Sequence, residues 1–270
     1  MRDGSPPMTE VTGLRTVEMM RLICDCHTHT DLSHGRNTAS EMIRAAYDKG
    51  LGGIWITEHG PAHMSVRKHF YKSRRDAYLA LRDDIEREKS LYPGMDIRFG
   101  TEANVTGLDG ETDAEGLQDV FEFINVGYHM MALMKDLSSE MSLQARVIGY
   151  KKLGMKFLEE KFSRTLTEVM LRVLDNYDIN MITHPTRYYP MDMGAIAAKC
   201  AERGTLLEIN SAKKLLNAEQ IRDIIKENDT VRFAVGSDAH RKEDVGEVSA
   251  AFSIIEECGL TPERLANIAF

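Results

Sequence analysis

Short runs of β-branched and aliphatic residues recur at about 21–27, 53–58, 96–102, 123–129, 179–184, 205–210 and 231–238. Most are separated by stretches whose apolar residues return every three or four positions, the period of a helix with one buried face. Strands joined by helical crossovers build a parallel sheet covered on both sides, so the pattern predicts an α/β fold whose sheet is closed or nearly closed. The first crossover is the best marked. Thr38 and Glu41 form a capping box, Ile43, Ala46 and Tyr47 give an apolar stripe, and Gly50 stops the helix, which is predicted over 38–49. A second helix, over 66–91, is rich in Arg and Lys, reads as a solvated face with interspersed acids, and stops before Pro93-Gly94.

The segment 130–178 is longer than the other crossovers and rich in Met. Met, Leu and Phe at helical spacing indicate core packing rather than a cofactor box, and the segment's place after His129 makes it a candidate lid. Residues 1–20 are polar, carry Pro6-Pro7 and hold no period, which predicts a poorly ordered lead-in to a single domain over 21–270.

Composition narrows the class. With 43% hydrophobic and 28% charged residues, the chain can bury a sizeable core and is no disordered protein. A net charge of -8 disfavours non-specific attraction to nucleic acid or an anionic membrane. No stretch has the apolar length of a membrane span, and the N-terminus lacks the apolar core of a signal peptide, so a cytoplasmic protein is expected. Cys24, Cys26, Cys200 and Cys258 follow no disulfide or zinc-knuckle spacing and are expected to be reduced. Strand alternation would put Cys24, Cys26 and Thr28 on one face and Asp25, His27 and His29 on the other, leaving the cysteines as buried non-ligands.

The chemistry is carried by histidines at predicted strand ends. His27 and His29 follow the run LICDC; His59 ends WITEH; Glu102 stands in GTEAN; His129 follows NVGY; His184 follows MIT; Asp238 and His240 lie in GSDAH. His34 alone lies in the loop after the first strand. Parallel barrel strands deliver their C-terminal ends to one rim, so seven of the nine histidines and two carboxylates converge. Singly, each imidazole could be a satisfied core or surface residue. Packed together without a cation they would repel or go unsatisfied, and a divalent metal cluster is the physically cheaper arrangement. His63 and His69, in or beside the basic helix, are expected at the surface or near substrate rather than on metal.

These motifs resemble the polymerase-and-histidinol-phosphatase (PHP) family, from about residue 21 to the C-terminus. The resemblance rests on His27-Thr28-His29, His34, the TEHG run with His59, Glu102, His129, His184, Asp238 and His240. It implies a distorted seven-stranded (β/α)7 TIM-like barrel with two or three divalent cations. His27, His29, Glu102 and Asp238 would hold one ion, Glu102, His129 and His184 a second, and His34, His59 and His240 a third. One departure is Glu58, where many members carry Asp before the histidine; the long 130–178 segment is another.

Imidazole-dominated ligation favours zinc, with manganese or iron as alternatives. The expected reaction is hydrolysis of a small phosphate monoester by a metal-activated hydroxide, since no Ser-His-Asp set or G-x-S-x-G elbow supplies a protein nucleophile. No P-loop or G-x-G-x-x-G opens a helix, which argues against a nucleotide cofactor. Arg187, Arg241 and Asn210, near the same rim, are candidate substrate contacts. Competing readings are an amidohydrolase-type barrel, a phosphodiesterase or exonuclease, and a non-catalytic metal protein. The second lacks a basic face here, and the third would be expected to use closed, cysteine-rich sites.

Overall fold

The computed structural model describes residues 20–66, 73–130, 132–154, 157, 159–188 and 190–270. The lead-in expected over 1–20 lies outside the described residues except for Met20, which is buried. His69 and the first part of the helix expected over 66–91 also fall outside them.

Seven parallel strands form one sheet, ordered as in the chain. They are β1 (Cys24–Thr28), β2 (Gly53–His59), β3 (Asp96–Asn104), β4 (Phe123–Gly127), β5 (Met181–Ile182), β6 (Leu206–Asn210) and β7 (Phe233–Gly236). All seven expected strands are present, although β5 pairs through only two residues on either side. The crossovers carry α1 (Ala39–Asp48), α2 (Arg74–Lys89), α3 (Ala145–Leu153), α4 (Glu159–Asn176), α5 (Met193–Arg203) and α6 (Ala218–Glu227); α7 (Ser249–Cys258) follows the last strand. The capping box is formed as expected: Glu41 N–H donates to the Thr38 hydroxyl while the Glu41 carboxylate receives the Thr38 N–H.

Alternation sorts each strand into two faces. Leu207 and Ile209 of β6 join the main core with Ile182, Ile196, Ile221 and Val235, whereas Glu208 between them turns to the histidines. A second core under α1 and α2 buries Met42, Ile43, Ile54, Ile56, Tyr78 and Phe99. Cys24 and Cys26 pack with Met181 and Ala234 against Trp55 and Leu206. All four cysteines are buried and free.

The expected face-sharing of Asp25, His27 and His29 does not hold. The β1–β2 register shifts between Asp25 and Thr28, which breaks the two-residue period. Asp25 instead accepts hydrogen bonds from Ser237 Oγ at 2.6 Å and Gly246 N at 2.8 Å, while the His27 ring turns to Glu208 and Glu102.

Between β1 and β7 the barrel closes in two ways. Near the strand C-termini, His29 N donates to Ala239 O at 2.8 Å. Near the N-termini the ladder is replaced by one side chain. Asn267 donates to Cys24 O at 2.8 Å and Val235 O at 2.7 Å, and accepts from Val235 N at 2.9 Å. Next to it, Arg21–Leu22 pair antiparallel with Ile268–Ala269.

The 130–178 segment contains a π-turn over Glu140–Gln144 before α3. Its Leu143, Val147, Phe162, Leu166 and Met170 are core, as helical spacing predicts, whereas Leu137, Met141 and Leu153 are exposed. No helix among the described residues is long and apolar enough to cross a membrane.

Asn267→Ala should leave three buried backbone groups at the seam unpaired. We expect a loss of roughly 2–4 kcal/mol, seen as a lower urea midpoint. An unchanged midpoint would show that the seam does not depend on this side chain.

Candidate metal centre

The strand C-termini bring the expected residues to one mouth. His27 lies within β1 and His29 just past it; His59 ends β2 and Glu102 lies near the end of β3. His129 and His184 each follow their strands by two residues, and Asp238 and His240 follow β7. All but His34 and His240 are buried.

Glu102 is the centre of the group. Its Oε1 lies 2.7 Å from His184 Nε2, 3.3 Å from His129 Nε2 and 3.6 Å from His27 Nε2. Its Oε2 lies 3.0 Å from His59 Nδ1 and 3.5 Å from His29 Nε2. Asp238 Oδ1 stands 3.6 Å from His29 Nε2 and 3.5 Å from His240 Nδ1. Ring nitrogens also face each other, at 3.1 Å between His27 and His29 and 3.3 Å between His129 and His184. Two neutral imidazoles can share a proton along such a line, but a cation satisfies both lone pairs.

Four triads have ligand atoms within 4.8 Å of one another: His27, His29 and Asp238; His27, Glu102 and His184; His59, Glu102 and His129; His29, His59 and His240. Eight of the nine expected ligands belong to a triad. His34 belongs to none, although its ring centroid is 4.2 Å from that of His240 and 4.8 Å from that of His59. The buried His29 Nδ1 and His240 Nε2 have no hydrogen-bond partner. Orphaned buried donors and acceptors are costly, and convergent nitrogen and oxygen atoms fit borderline divalent ions such as zinc.

Electrostatics prepare the same state. Burial opposes charge on Glu102 and Asp238, yet the surrounding imidazoles outweigh it and hold both carboxyls well below their usual range. Burial keeps His29 well below its ordinary value and brings His34 and His59 down to about 4. The result is ionised carboxylates beside neutral imidazoles, the protonation state ligands need. His27 differs: burial disfavours its charge, but Glu208, Glu102 and Asp238 overcome that and raise it.

Glu208 is a residue that sequence reasoning missed. Its Oε1 is 2.7 Å from His27 Nδ1, and its Oε2 accepts from His184 N at 2.6 Å and from Asn210 Nδ2 at 3.1 Å. A carboxylate on one imidazole nitrogen fixes the ring so that the other faces the metal. The available signal was a Glu alternating inward two positions before the end of LEIN, on the strand that supplied no ligand of its own. Glu58, the departure from the family pattern, lies behind the rim: it accepts from Thr30 N at 2.5 Å and stands 4.0 Å from His29 Nδ1.

Backbone features make room for the cluster. A Cβ on Gly127 would come within 2.6 Å of Thr183 Oγ1 and 2.9 Å of His129 Cε1, and one on Gly236 would collide with Glu208. His184 and Asp238 adopt left-handed φ values of 34° and 54°, strain of a kind concentrated at functional sites.

Above the cluster opens a cavity of about 420 Å³ whose walls include His34, His63, Arg187, Tyr188, Lys213 and Asp244. Arg187 is therefore where the sequence placed it. Arg241 is exposed and does not line the cavity. Asn210 lies beneath, donating to Glu208 and, at 3.4 Å, to Asp238, while its oxygen accepts from Lys213 N. His63, expected at the surface or near substrate, lines the cavity and is otherwise buried, its ring 4.0 Å from that of His59. Lys213, which sequence reasoning did not single out, reaches 3.4 Å from Asp238 Oδ2. No described residue of the 130–178 segment lines the cavity. Gln144 of its π-turn instead donates to His129 O at 2.8 Å and so steadies the loop that holds this imidazole.

Asp113 braces the loops after β2 and β3, accepting from Ala62 N at 2.8 Å and Asn104 N at 2.7 Å. Burial raises its carboxyl from 3.8 to about 6. A carboxyl raised on folding stabilises the fold fully below its unfolded value and loses that contribution as pH climbs through its folded value. Asp113→Asn should therefore show a shallower fall in stability than the parent between about pH 4 and 7, measured by chemical denaturation. Equal slopes would contradict the assignment. Glu208→Ala should weaken zinc binding by about 10–100-fold in calorimetric titration while leaving the protein folded; unaltered affinity would remove Glu208 from the site.

The chain is similar to known proteins in sequence and in fold. The chain is 28% identical over 258 residues to a probable phosphatase of Thermoanaerobacter sp., covering 92% of this chain and 91% of that one. It is 26% identical over 254 residues to a probable phosphatase of Escherichia coli, covering 91% and 89%. In fold it is similar to the histidinol phosphate phosphatase of Lactococcus lactis, solved with zinc, L-histidinol and phosphate; the TM-score is 0.58 at 18% identity, over 91% of this chain and 96% of that one. The PHP domain profile matches residues 25–228, and the chain belongs to the PHP domain family.

Proposed function

We propose that this metal-dependent phosphoesterase cleaves small phosphate monoesters at a cluster of up to three divalent cations, zinc foremost. His27, His29, His34, His59, Glu102, His129, His184, Asp238 and His240 would hold them. The observation that carries this reading is Glu102, a buried carboxylate with five imidazole nitrogens within 3.6 Å. Cations bound there would supply Lewis acidity toward phosphoryl oxygens and would lower the pKa of water toward neutrality.

The chain's own groups do the rest. Glu208 holds the His27 ring by its Nδ1 edge and so keeps Nε2 facing inward. Arg187 and Lys213, on the cavity wall, give a dianionic phosphate cationic partners inside a protein of net charge -8. A cavity of about 420 Å³ suits a small ester. The zinc, L-histidinol and phosphate in the Lactococcus lactis structure make histidinol phosphate the first substrate to try.

A phosphate-release screen of the zinc-loaded protein over phosphomonoesters should find turnover, with a diester panel much slower. No release from any monoester would overturn the reading. His59→Ala and His240→Ala should each lower the bound-metal content and cut turnover by about 100-fold or more. Full activity in both would refute the three-ion cluster.

A further inference from the structure

The barrel has a second open mouth, at the N-terminal ends of its strands and remote from the histidines. A cavity of about 340 Å³ lies there, lined in part by Trp55, Asp178, Asn180, Arg203, Leu206 and Arg232. Its volume is at the low end for a ligand site, which restricts any occupant to a small molecule. The polar groups are mostly donors. Arg203 is paired at 3.2 Å with Asp178, which is itself exposed to solvent. Arg232 has no acidic partner among the described residues. Asn180 Oδ1 accepts from Ile124 N, leaving its amide nitrogen to donate. A third guanidinium, that of Arg98, stands 4.8 Å over the Trp55 ring and is held by Asp96 at 2.8 Å. Asp178 is the one carboxylate in the lining.

We propose that this mouth is a second binding site, for a small aromatic oxyanion. Its phosphate or carboxylate would sit between Arg203 and Arg232, and its ring would meet Trp55 and Leu206. Guanidinium groups pair planar oxyanions through two parallel hydrogen bonds, and a ligand anion competes well for Arg203 because Asp178 holds it only at the solvent surface. The indole, with the Arg98 guanidinium 4.8 Å over it and the Phe123 ring 4.9 Å away, is an apolar part of the lining. Conserving the overall fold needs none of this: a sealed floor of aliphatic residues would close the barrel equally well.

Trp55 is the chain's one tryptophan, so its emission reports on this mouth directly. Phenylphosphonate, whose C–P bond a phosphoesterase does not hydrolyse, is the probe. Titrated into the zinc-loaded protein, it should change Trp55 emission saturably, with half-saturation below about 1 mM. Inorganic phosphate should bind at least several-fold more weakly, and benzyl alcohol should have no effect. The response should survive His59→Ala, which impairs the histidine site, and weaken 10-fold or more in Arg232→Ala, which should keep the parent's phosphate-release activity. Absence of a saturable change, an unchanged affinity in Arg232→Ala, or loss of the response in His59→Ala would each overturn the proposal. None of these outcomes bears on the reading of the histidine cluster, which is tested by turnover.

Discussion

A single carboxylate sets the terms for this protein. Glu102 is withdrawn from water in the mouth of the barrel, where an isolated charge would be strongly disfavoured, and five imidazole edges are arranged around it. Those imidazoles come from the ends of four other strands, so the charge is tolerated only if the sheet curls enough to bring them together. The sheet curls because its neighbouring strands pair in chain order and its two outermost strands meet. Site and fold are thus mutually dependent. The same crowding leaves nitrogen and oxygen atoms facing one another without enough protons to satisfy them, and cations resolve that conflict.

Much of this was legible in the sequence, for identifiable reasons. Strand positions follow from β-branched runs, and each expected ligand but His34 stands at a strand end, so one rule about parallel barrels accounts for the eight that share triads. The α1 capping box was legible because its signal is local: Thr38 and Glu41 are three residues apart and depend on nothing else.

What was not legible depends on departures from regularity. The register shift after Asp25 sends that carboxylate to Ser237 and Gly246, and no period-two reading of CDCHTH contains such a shift. Glu208 was passed over because an inward Glu on a strand without histidine gives no motif, although its two oxygens serve His27 and His184. Arg241 was misjudged for the opposite reason. Adjacency to His240 in sequence does not carry over a bend, and its side chain is exposed outside the cavity lining. The 130–178 segment, a candidate to shape or cover the site, contributes a contact through Gln144 that the sequence did not indicate.

The Asn267 seam bears on how the chain folds. Its amide joins residues 243 positions apart, so β1 can complete its hydrogen bonding only after nearly the whole chain is available. Contacts of such long range are slow to form, because the entropy of closing the loop precedes any return from it. Until then β1, with His27 and His29 at its end, presents an unpaired edge. During synthesis the histidines of β1 therefore wait for Asn267, 243 positions after Cys24, and a nascent chain short of that point would expose the edge to aggregation or to a chaperone.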